Sequence, residues 1–231
     1  MSLLEFKDVS RANKERSVIR GVNLTMVEGE KLVLFGRSGA GKRTFLRLAA
    51  GIASPSSGSV TLNDPVPGRP MPVGFVTHEG GLINNLSLLE NVVLPLVYHG
   101  VLGLREAHDR GAALLQDWGI SDEAGLRPAA STPAARRLAQ LARALLAEPA
   151  LFLLEDPLED MDSATAVLIR RALERACTAG RAGVIVATEK PGSYLDWGDR
   201  FLLIWGGRVR IFEGRKALLE DGGPEVEIFL R

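Results

Sequence analysis

The sequence predicts an α/β fold in which a mostly parallel sheet is covered by helices on both faces. Short apolar runs, such as residues 31–35 and 183–188, are typical of strands buried on both sides. Longer segments with helical signals, such as residues 162–180, lie between these runs. Turn-rich stretches such as residues 54–58 separate the two kinds of element. Alternation of this kind favours parallel strands connected by helices.

Each element has its own signal. The alternating residues Val22, Leu24 and Met26 predict a half-buried strand. Gly51 is expected to end the first helix. The glycine pair at 206–207 predicts a β-hairpin. The predicted strands are 22–26, 31–35, 59–62, 73–77, 151–154, 183–188, 200–205 and 208–212. The predicted helices are 42–50, 87–98, 105–118, 136–147 and 162–180, the last capped by Asp162.

No strand signal occurs between residues 87 and 147, which predicts a helical insertion in the α/β chain. With 231 residues and 46% apolar content, the chain can bury one sizeable core. We therefore expect a single domain over residues 1–231. Its α/β core would comprise 1–78 and 149–231, and its helical subdomain 79–148.

Composition narrows the classes of function. Lys plus Arg equals Asp plus Glu, 28 each, so no positive field favours nucleic acid and we expect no nucleic-acid partner. Cys177 is the single cysteine, which predicts a reducing, cytoplasmic setting. No apolar run approaches the roughly 20 residues that cross a bilayer, so we expect any membrane role to come through a partner.

A glycine-rich segment lies between the strand at 31–35 and the following helix. This context predicts a phosphate-binding P-loop, in which backbone N–H groups surround phosphate oxygens and Lys42 reaches the β- and γ-phosphates. The alternative is an ordinary glycine turn. The predicted phosphate-binding residues are Gly36, Arg37, Ser38, Gly39, Ala40, Gly41, Lys42, Arg43 and Thr44.

Arg43 departs from the P-loop pattern, which has Ser or Thr after the lysine to bind Mg²⁺. Arginine has no acceptor, and the Thr44 hydroxyl lies about 100° away around the helix. Three readings follow: Mg²⁺ binding is weakened, Arg43 itself supplies positive charge to the phosphates, or Arg43 points into solvent.

A second acidic site follows the apolar run at 151–154, where Glu155 and Asp156 come directly before Pro157. Carboxylates at the end of a parallel strand face the ligand crevice. The alternative is a solvated acidic turn, since Glu159, Asp160 and Asp162 follow. Together with the P-loop, the pair predicts a nucleotide site.

With these motifs the chain resembles the ATP-binding subunits of ABC transporters over essentially its whole length. The resemblance implies a P-loop NTPase core of the ABC ATPase type, with an antiparallel β subdomain and an inserted helical subdomain. It also implies ATP and Mg²⁺ as cofactors. Residues 73–93 are similar to the glutamine loop, and residues 139–149 to the helix after the signature. Gly80-Gly81, Arg136-Arg137 and the tail at 228–230 are similar to the lipid-trafficking, Mla-type branch.

Several positions depart from the family's pattern. His78 stands at the glutamine position, and an imidazole is shorter than an amide and can titrate. In the signature, Pro133 has no N–H and Ala134 adds a Cβ where glycines allow close approach to phosphate, while Thr132 keeps a hydroxyl. The whole signature segment is Ser131, Thr132, Pro133, Ala134 and Ala135.

The acids of the hydrolysis site are also changed. The Asp-Glu pair is inverted, so Glu155 could still hold a metal-bound water, while Asp156 is one methylene short of the attacking water. A misplaced general base forfeits about 10²–10⁴-fold in rate. Glu189 replaces the switch histidine and would repel a γ-phosphate. Asp162, at the end of the D-loop, does match the family's pattern.

The predicted adenine-binding segment also differs from the family's pattern. Family members stack the adenine on an aromatic residue there, but this chain has no aromatic residue between Phe6 and Phe35. Arg11 or Asn13 falls near that place, and Arg could stack only weakly.

The resemblance implies a membrane permease as partner and a head-to-tail homodimer or heterodimer, with the subunit at the inner face of the membrane and the permease docked around residues 86–104. Hydrolysis would be slow or absent. The alternatives are a pseudo-ATPase with a structural or regulatory role and a P-loop protein acting on nucleic acid.

Overall fold

A computed structural model describes residues 2–13, 16–66, 68–78, 81–159 and 161–230. The strands are β1 (Ser2–Asn13), β2 (Arg16–Val27), β3 (Lys31–Phe35), β4 (Ser57–Leu62), β5 (Val73–Val76), β6 (Leu151–Glu155), β7 (Gly183–Thr188), β8 (Arg200–Trp205) and β9 (Arg208–Phe212). The helices are α1 (Lys42–Ala49), α2 (Leu88–Tyr98), α3 (Leu104–Asp117), α4 (Pro133–Leu146), α5 (Ser163–Gly180), α6 (Gly214–Asp221) and α7 (Gly223–Leu230).

The main sheet has six strands in the order β5-β6-β7-β3-β8-β9. The first five are parallel, and β9 closes the sheet as the antiparallel arm of a hairpin with β8. The prediction of an α/β fold with a mostly parallel sheet is therefore confirmed, and so is the hairpin around the glycine pair.

The core lies on both faces of this sheet because successive side chains of a strand point to opposite sides. In β3, Leu32 and Leu34 join one buried cluster with the antiparallel sheet and α1, whereas Val33 and Phe35 join the other with α2 to α7. This two-sided burial explains why the central strands are continuous apolar runs rather than alternating ones.

A second sheet, in the order β2-β1-β4, is antiparallel and covers one face of the main sheet. The predicted antiparallel part of the fold is thus present, but β1 itself was not predicted. Its pairing with β2 shifts register repeatedly, and Asp8 adopts a left-handed conformation with φ of 48°. Irregularities of this kind break the strict alternation by which a strand is predicted.

Among the described residues between β5 and β6, every regular secondary-structure element is a helix, as predicted. The helix α4 begins at Pro133, three residues before the predicted start at Arg136, because Thr132 caps it by accepting from the Ala135 N–H at 3.2 Å and proline fits the first turn. The proposed division at residues 78/79 and 148/149 stays a prediction, and Gly80 lies outside the described residues. No helix in the described part of the chain is long and apolar enough to cross a membrane.

The helices α6 and α7 were not predicted. The second of them places Phe229 edge-on against Phe35 and Trp205, with ring centroids 5.5 and 6.4 Å apart. Exposed side chains and flanking glycines give this tail little helical periodicity, so its helices depend on packing against the end of the sheet.

Candidate nucleotide-binding site

A cleft of about 850 Å³ opens at the carboxyl ends of β3, β6 and β7, which are neighbours in the sheet. This is where parallel α/β sheets bind ligands. The segments that follow these strands converge there, so residues far apart in sequence share one site. The cleft is lined by Val18, Ser38, Gly39, Gly41, Lys42, Arg43, Thr44, His78, Glu155, Asp156, Leu158, Glu159, Ala187, Thr188, Glu189, Lys190, Ser193 and Tyr194.

The predicted P-loop forms the floor of the cleft between β3 and α1. Gly41, the residue before α1, has φ of 115°, and a Cβ there would lie 2.9 Å from a Val18 methyl group. Only glycine fits this backbone and this contact. No side chain caps α1, and the helix dipole favours an anion at this end of the helix.

Lys42 is folded back onto its own loop. Its Nζ donates to the carbonyl oxygens of Gly36 at 2.7 Å and Arg37 at 3.2 Å, and pairs with Glu189 Oε1 at 3.2 Å. The lysine side chain is 13% exposed and the glutamate 50% exposed. Glu189 therefore contacts the lysine of the predicted P-loop directly, as its counter-ion.

Arg43 does not point away into solvent, so that reading is wrong. Its Nε donates to Glu155 Oε1 at 3.0 Å and Oε2 at 3.3 Å, and its Nη2 donates to Oε2 at 3.3 Å. The Glu155 side chain is 7% exposed, whereas that of Arg43 is 51% exposed. The ion pair links the start of α1 to the end of β6 across the cleft.

His78 closes the next side of the cleft, after β5. Its backbone N–H donates to Glu155 Oε2 at 3.1 Å, and its Nδ1 lies 3.1 Å from Glu159 Oε2. The glutamine-loop position is thus coupled to the acidic strand end through the backbone, while the imidazole faces a third carboxylate.

Asp156 begins the turn after β6 in a left-handed conformation, with φ of 43°, and its N–H donates to the Ala187 carbonyl at 2.8 Å. The turn is held from below by Arg137, a buried residue whose role was not predicted. Its guanidinium donates to the carbonyls of Thr77 at 2.9 Å, Glu155 at 2.9 Å and Asp156 at 2.6 Å. An arginine in an Ala- and Leu-rich helix gives no sequence signal that it will be buried beneath a strand end.

Tyr194 also lines the cleft and was not predicted. Burial raises the pKa of its hydroxyl, and the nearby charge of Asp156 adds to the shift. The phenol therefore stays protonated at neutral pH, next to the acid that stands at the general-base position.

The signature segment does not line this cleft; its Pro133 lines a second one, together with Gly81, Leu82, Asn84 and side chains of α4. Within one chain the structure therefore does not bring signature and P-loop together. Both donors of Thr132 bond to Glu123: its N–H lies 2.6 Å from Oε2 and its hydroxyl 2.9 Å from Oε1. Glu123 was not predicted, because its partner is nine positions away across a turn.

Asp162 caps α5, as its sequence position predicts. It accepts from the N–H groups of Ala164 at 2.9 Å and Thr165 at 3.0 Å. The hydrogen bonds from Thr165, side chain first, lower the pKa of this carboxyl. Its D-loop role stays a prediction, and Asp160 of the same turn lies outside the described residues.

Arg11, predicted near the adenine, is not among the residues that line the cleft, and its Nη1 donates to the Ser54 carbonyl at 2.7 Å. Its stacking role stays a prediction. The side chain of Asn13 lies outside the described residues. Among the described residues, Val18 lines the cleft next to Gly41 of the P-loop.

Fold and site together define a P-loop nucleotide-binding domain of the α/β class. The family model described as ABC transporter matches residues 19–159, more than half of the chain. The chain belongs to the ABC transporter family.

The relatives carry different transport names. The aliphatic sulfonates import ATP-binding protein SsuB 1 of Mesorhizobium japonicum is 30% identical over 206 residues, which are 89% of this chain and 77% of that protein. The lipoprotein-releasing system ATP-binding protein LolD 1 of Rhodopirellula baltica is 30% identical over 88% of this chain and 93% of its own. The chain spans only 61% of the SsuB protein of Burkholderia ambifaria, at 33% identity.

Among solved structures, the dimeric post-hydrolysis state of the ATP-binding cassette MJ0796 bound to ADP and Pi has a TM-score of 0.81 and 26% identity, and covers 91% of this chain and 98% of its own. The predicted ABC ATPase-type fold is thereby confirmed. The likeness to the lipid-trafficking branch stays a prediction, because these relatives have sulfonate-import and lipoprotein-release names.

Proposed function

We propose that this chain is the ATP-binding subunit of an ABC transporter and couples ATP binding, with slow hydrolysis, to a membrane permease. The main support is that the glycine loop, the uncapped end of α1 and Lys42 meet in one cleft at the carboxyl edge of the sheet. These groups provide N–H donors and a cation for a triphosphate. The relatives' names as ATP-binding proteins of transporters support the same function.

Slow hydrolysis follows from the residues that surround the phosphate site. Asp156 stands where the family has a longer acid, and Glu189 puts a carboxylate where a donor to the γ-phosphate is needed. A general base displaced from its water contributes little of the usual rate acceleration of about 10²–10⁴-fold. ATP binding, rather than rapid turnover, would then change the state of the permease.

A turnover assay tests this part of the proposal. The combined substitutions Arg43→Ser, Asp156→Glu and Glu189→His restore the family pattern, and we expect them to raise the rate of phosphate release from ATP by about tenfold or more. If the restored variant binds ATP and turns over no faster than the native chain, the acids are not what limits hydrolysis, and the signature segment becomes the limiting part.

We propose the end of α2 and the start of α3 as the permease-docking surface. Tyr98, Val101 and Leu104 are apolar and 79%, 44% and 61% exposed there, close together in the chain. Exposed apolar groups of this kind favour a protein partner.

With a co-expressed permease, Leu104→Glu is expected to reduce co-purification, whereas Leu219→Glu, at an exposed position of α6, is the matched control. Equal loss in both variants would contradict this location.

The subunit would sit at the inner face of the membrane, and as a pair. A homodimer or a heterodimer with another ATP-binding subunit would place each cleft opposite a partner's signature segment. The dimeric neighbour structures support pairing.

A further inference from the structure

The cleft lacks the donor set that a P-loop offers to Mg²⁺. In ordinary P-loop proteins the ion is held between a hydroxyl after the lysine and a carboxylate at the next strand end. Here the first position is Arg43, a cation without an acceptor, and both carboxylate oxygens of Glu155 already accept hydrogen bonds. The residues present do not fit Mg²⁺.

The guanidinium of Arg43 joins the two elements that supply the metal ligands in ordinary P-loop proteins, α1 and the end of β6. It starts from the residue that normally supplies the hydroxyl, in the first turn of α1, and ends on the strand-end carboxylate, with an Nε to Oε1 distance of 3.0 Å. A second cation placed beside it would be repelled, and would have to compete with Arg43 for Glu155, which is only 7% exposed.

We propose that this site binds a nucleoside triphosphate without a divalent cation, with the guanidinium of Arg43, anchored on Glu155, in place of Mg²⁺. This inference rests on the proposed function, because it names the ionic requirement of the same cleft.

A guanidinium suits this task because it is permanently charged and has five N–H donors in a planar fork. With five donors, it can bond a carboxylate and phosphate oxygens through different N–H groups. Since half of the Arg43 side chain is exposed, the group can turn toward a ligand while the buried carboxylate holds its anchor. Lys42, 13% exposed beside it, provides the second fixed cation.

Calorimetric titration of ATP into the full chain, once with excess Mg²⁺ and once with excess EDTA, tests the inference. We expect the native chain to have the same dissociation constant in both, within about threefold. In Arg43→Ser, which frees Glu155 and restores a hydroxyl, we expect affinity in EDTA to fall about tenfold or more and to recover with Mg²⁺. Arg47→Ser, an exposed arginine one turn further along α1, is the matched control and should behave as the native chain.

The outcomes separate the two proposals. If the native chain loses tenfold or more in EDTA, it needs the metal, so the inference is overturned while the proposed function stands. Unchanged binding by Arg43→Ser in EDTA, with melting curves showing a folded protein, would also overturn it. No binding of ATP by the native chain under either condition would contradict the proposed function itself, and the inference with it.

Discussion

At the scale of single residues, the cleft is organised by two ion pairs between groups that a phosphate would also contact, Lys42 with Glu189 and Arg43 with Glu155. The identities of these four residues are readable from the sequence through the P-loop and strand-end motifs. Their pairing is not, because it depends on which strands are neighbours in the sheet. The role of Arg137 could not be predicted from the sequence at all. Only the folded structure shows that its guanidinium donates to three backbone carbonyls.

The Lys42–Glu189 pair predicts a stronger nucleotide site when the carboxylate is neutralised. In Glu189→Gln, Lys42 no longer has a competing anion, and we expect ATP affinity to rise about two- to fivefold, a modest gain because Glu189 is half exposed and screened by water. Fluorescence titration measures it. Glu220→Gln, at an exposed glutamate paired with Lys216 outside the cleft, is the control. A loss of affinity in Glu189→Gln alone would mean that Glu189 positions Lys42 rather than competing for it.

At the scale of elements, most boundaries follow from local signals, and the misses have local causes. The buried strands and the hairpin are marked by apolar runs and glycines, whereas β1 is bent by bulges and α7 forms by packing on Phe35. The start of α2 is a capping box: the Ser87 N–H and hydroxyl donate to Glu90 Oε2 at 2.7 and 2.8 Å, and the Glu90 N–H donates to the Ser87 hydroxyl at 3.2 Å.

Removing this cap has a predictable, pH-dependent effect. Ser87→Ala is expected to lower the free energy of unfolding by about 1 kcal/mol at neutral pH. The bonds from Ser87 lower the pKa of Glu90 from its ordinary value of 4.5 in the folded state. A lowered folded pKa means that the stabilisation is present above the unfolded pKa and is lost as pH falls through the folded one. Urea unfolding should therefore show a difference between the two proteins that narrows in acid without vanishing, because the bond from the Ser87 hydroxyl to the carboxylate is lost there whereas the bond from the Glu90 N–H to the hydroxyl does not titrate. A difference that grows in acid would contradict the cap.

At the scale of the whole molecule, the α/β class and the site's edge of the sheet were predictable from strand–helix alternation and motif context. The head-to-tail arrangement of two copies that the resemblance implies stays a prediction, since within one chain Pro133 of the signature segment lines a different cleft from the P-loop. If the signature segment meets a partner's nucleotide as the resemblance implies, the bonds of Glu123 to both donors of Thr132 predict weak ATP-dependent pairing, because those donors are already occupied.

Freeing these donors should strengthen dimerisation. In Glu123→Ala we expect a larger dimer fraction with ATP by sedimentation velocity, because the Thr132 N–H and hydroxyl can then bond phosphate. Asp122→Ala, at the exposed acid next in the chain, is the control. An unchanged or smaller dimer fraction in a folded Glu123→Ala protein would show that the signature segment does not meet nucleotide in this way.

The most direct test of the central claim, that the cleft at the carboxyl edge of the sheet binds ATP through its P-loop, is an ATP titration of the native chain against Lys42→Ala. Lys216→Ala, an 85% exposed lysine outside the cleft, serves as the control. We predict saturable, one-to-one binding by the native and control proteins, and a loss of affinity of about tenfold or more in Lys42→Ala, because a charge-assisted contact to phosphate is removed. Equal affinity in all three proteins would contradict the account.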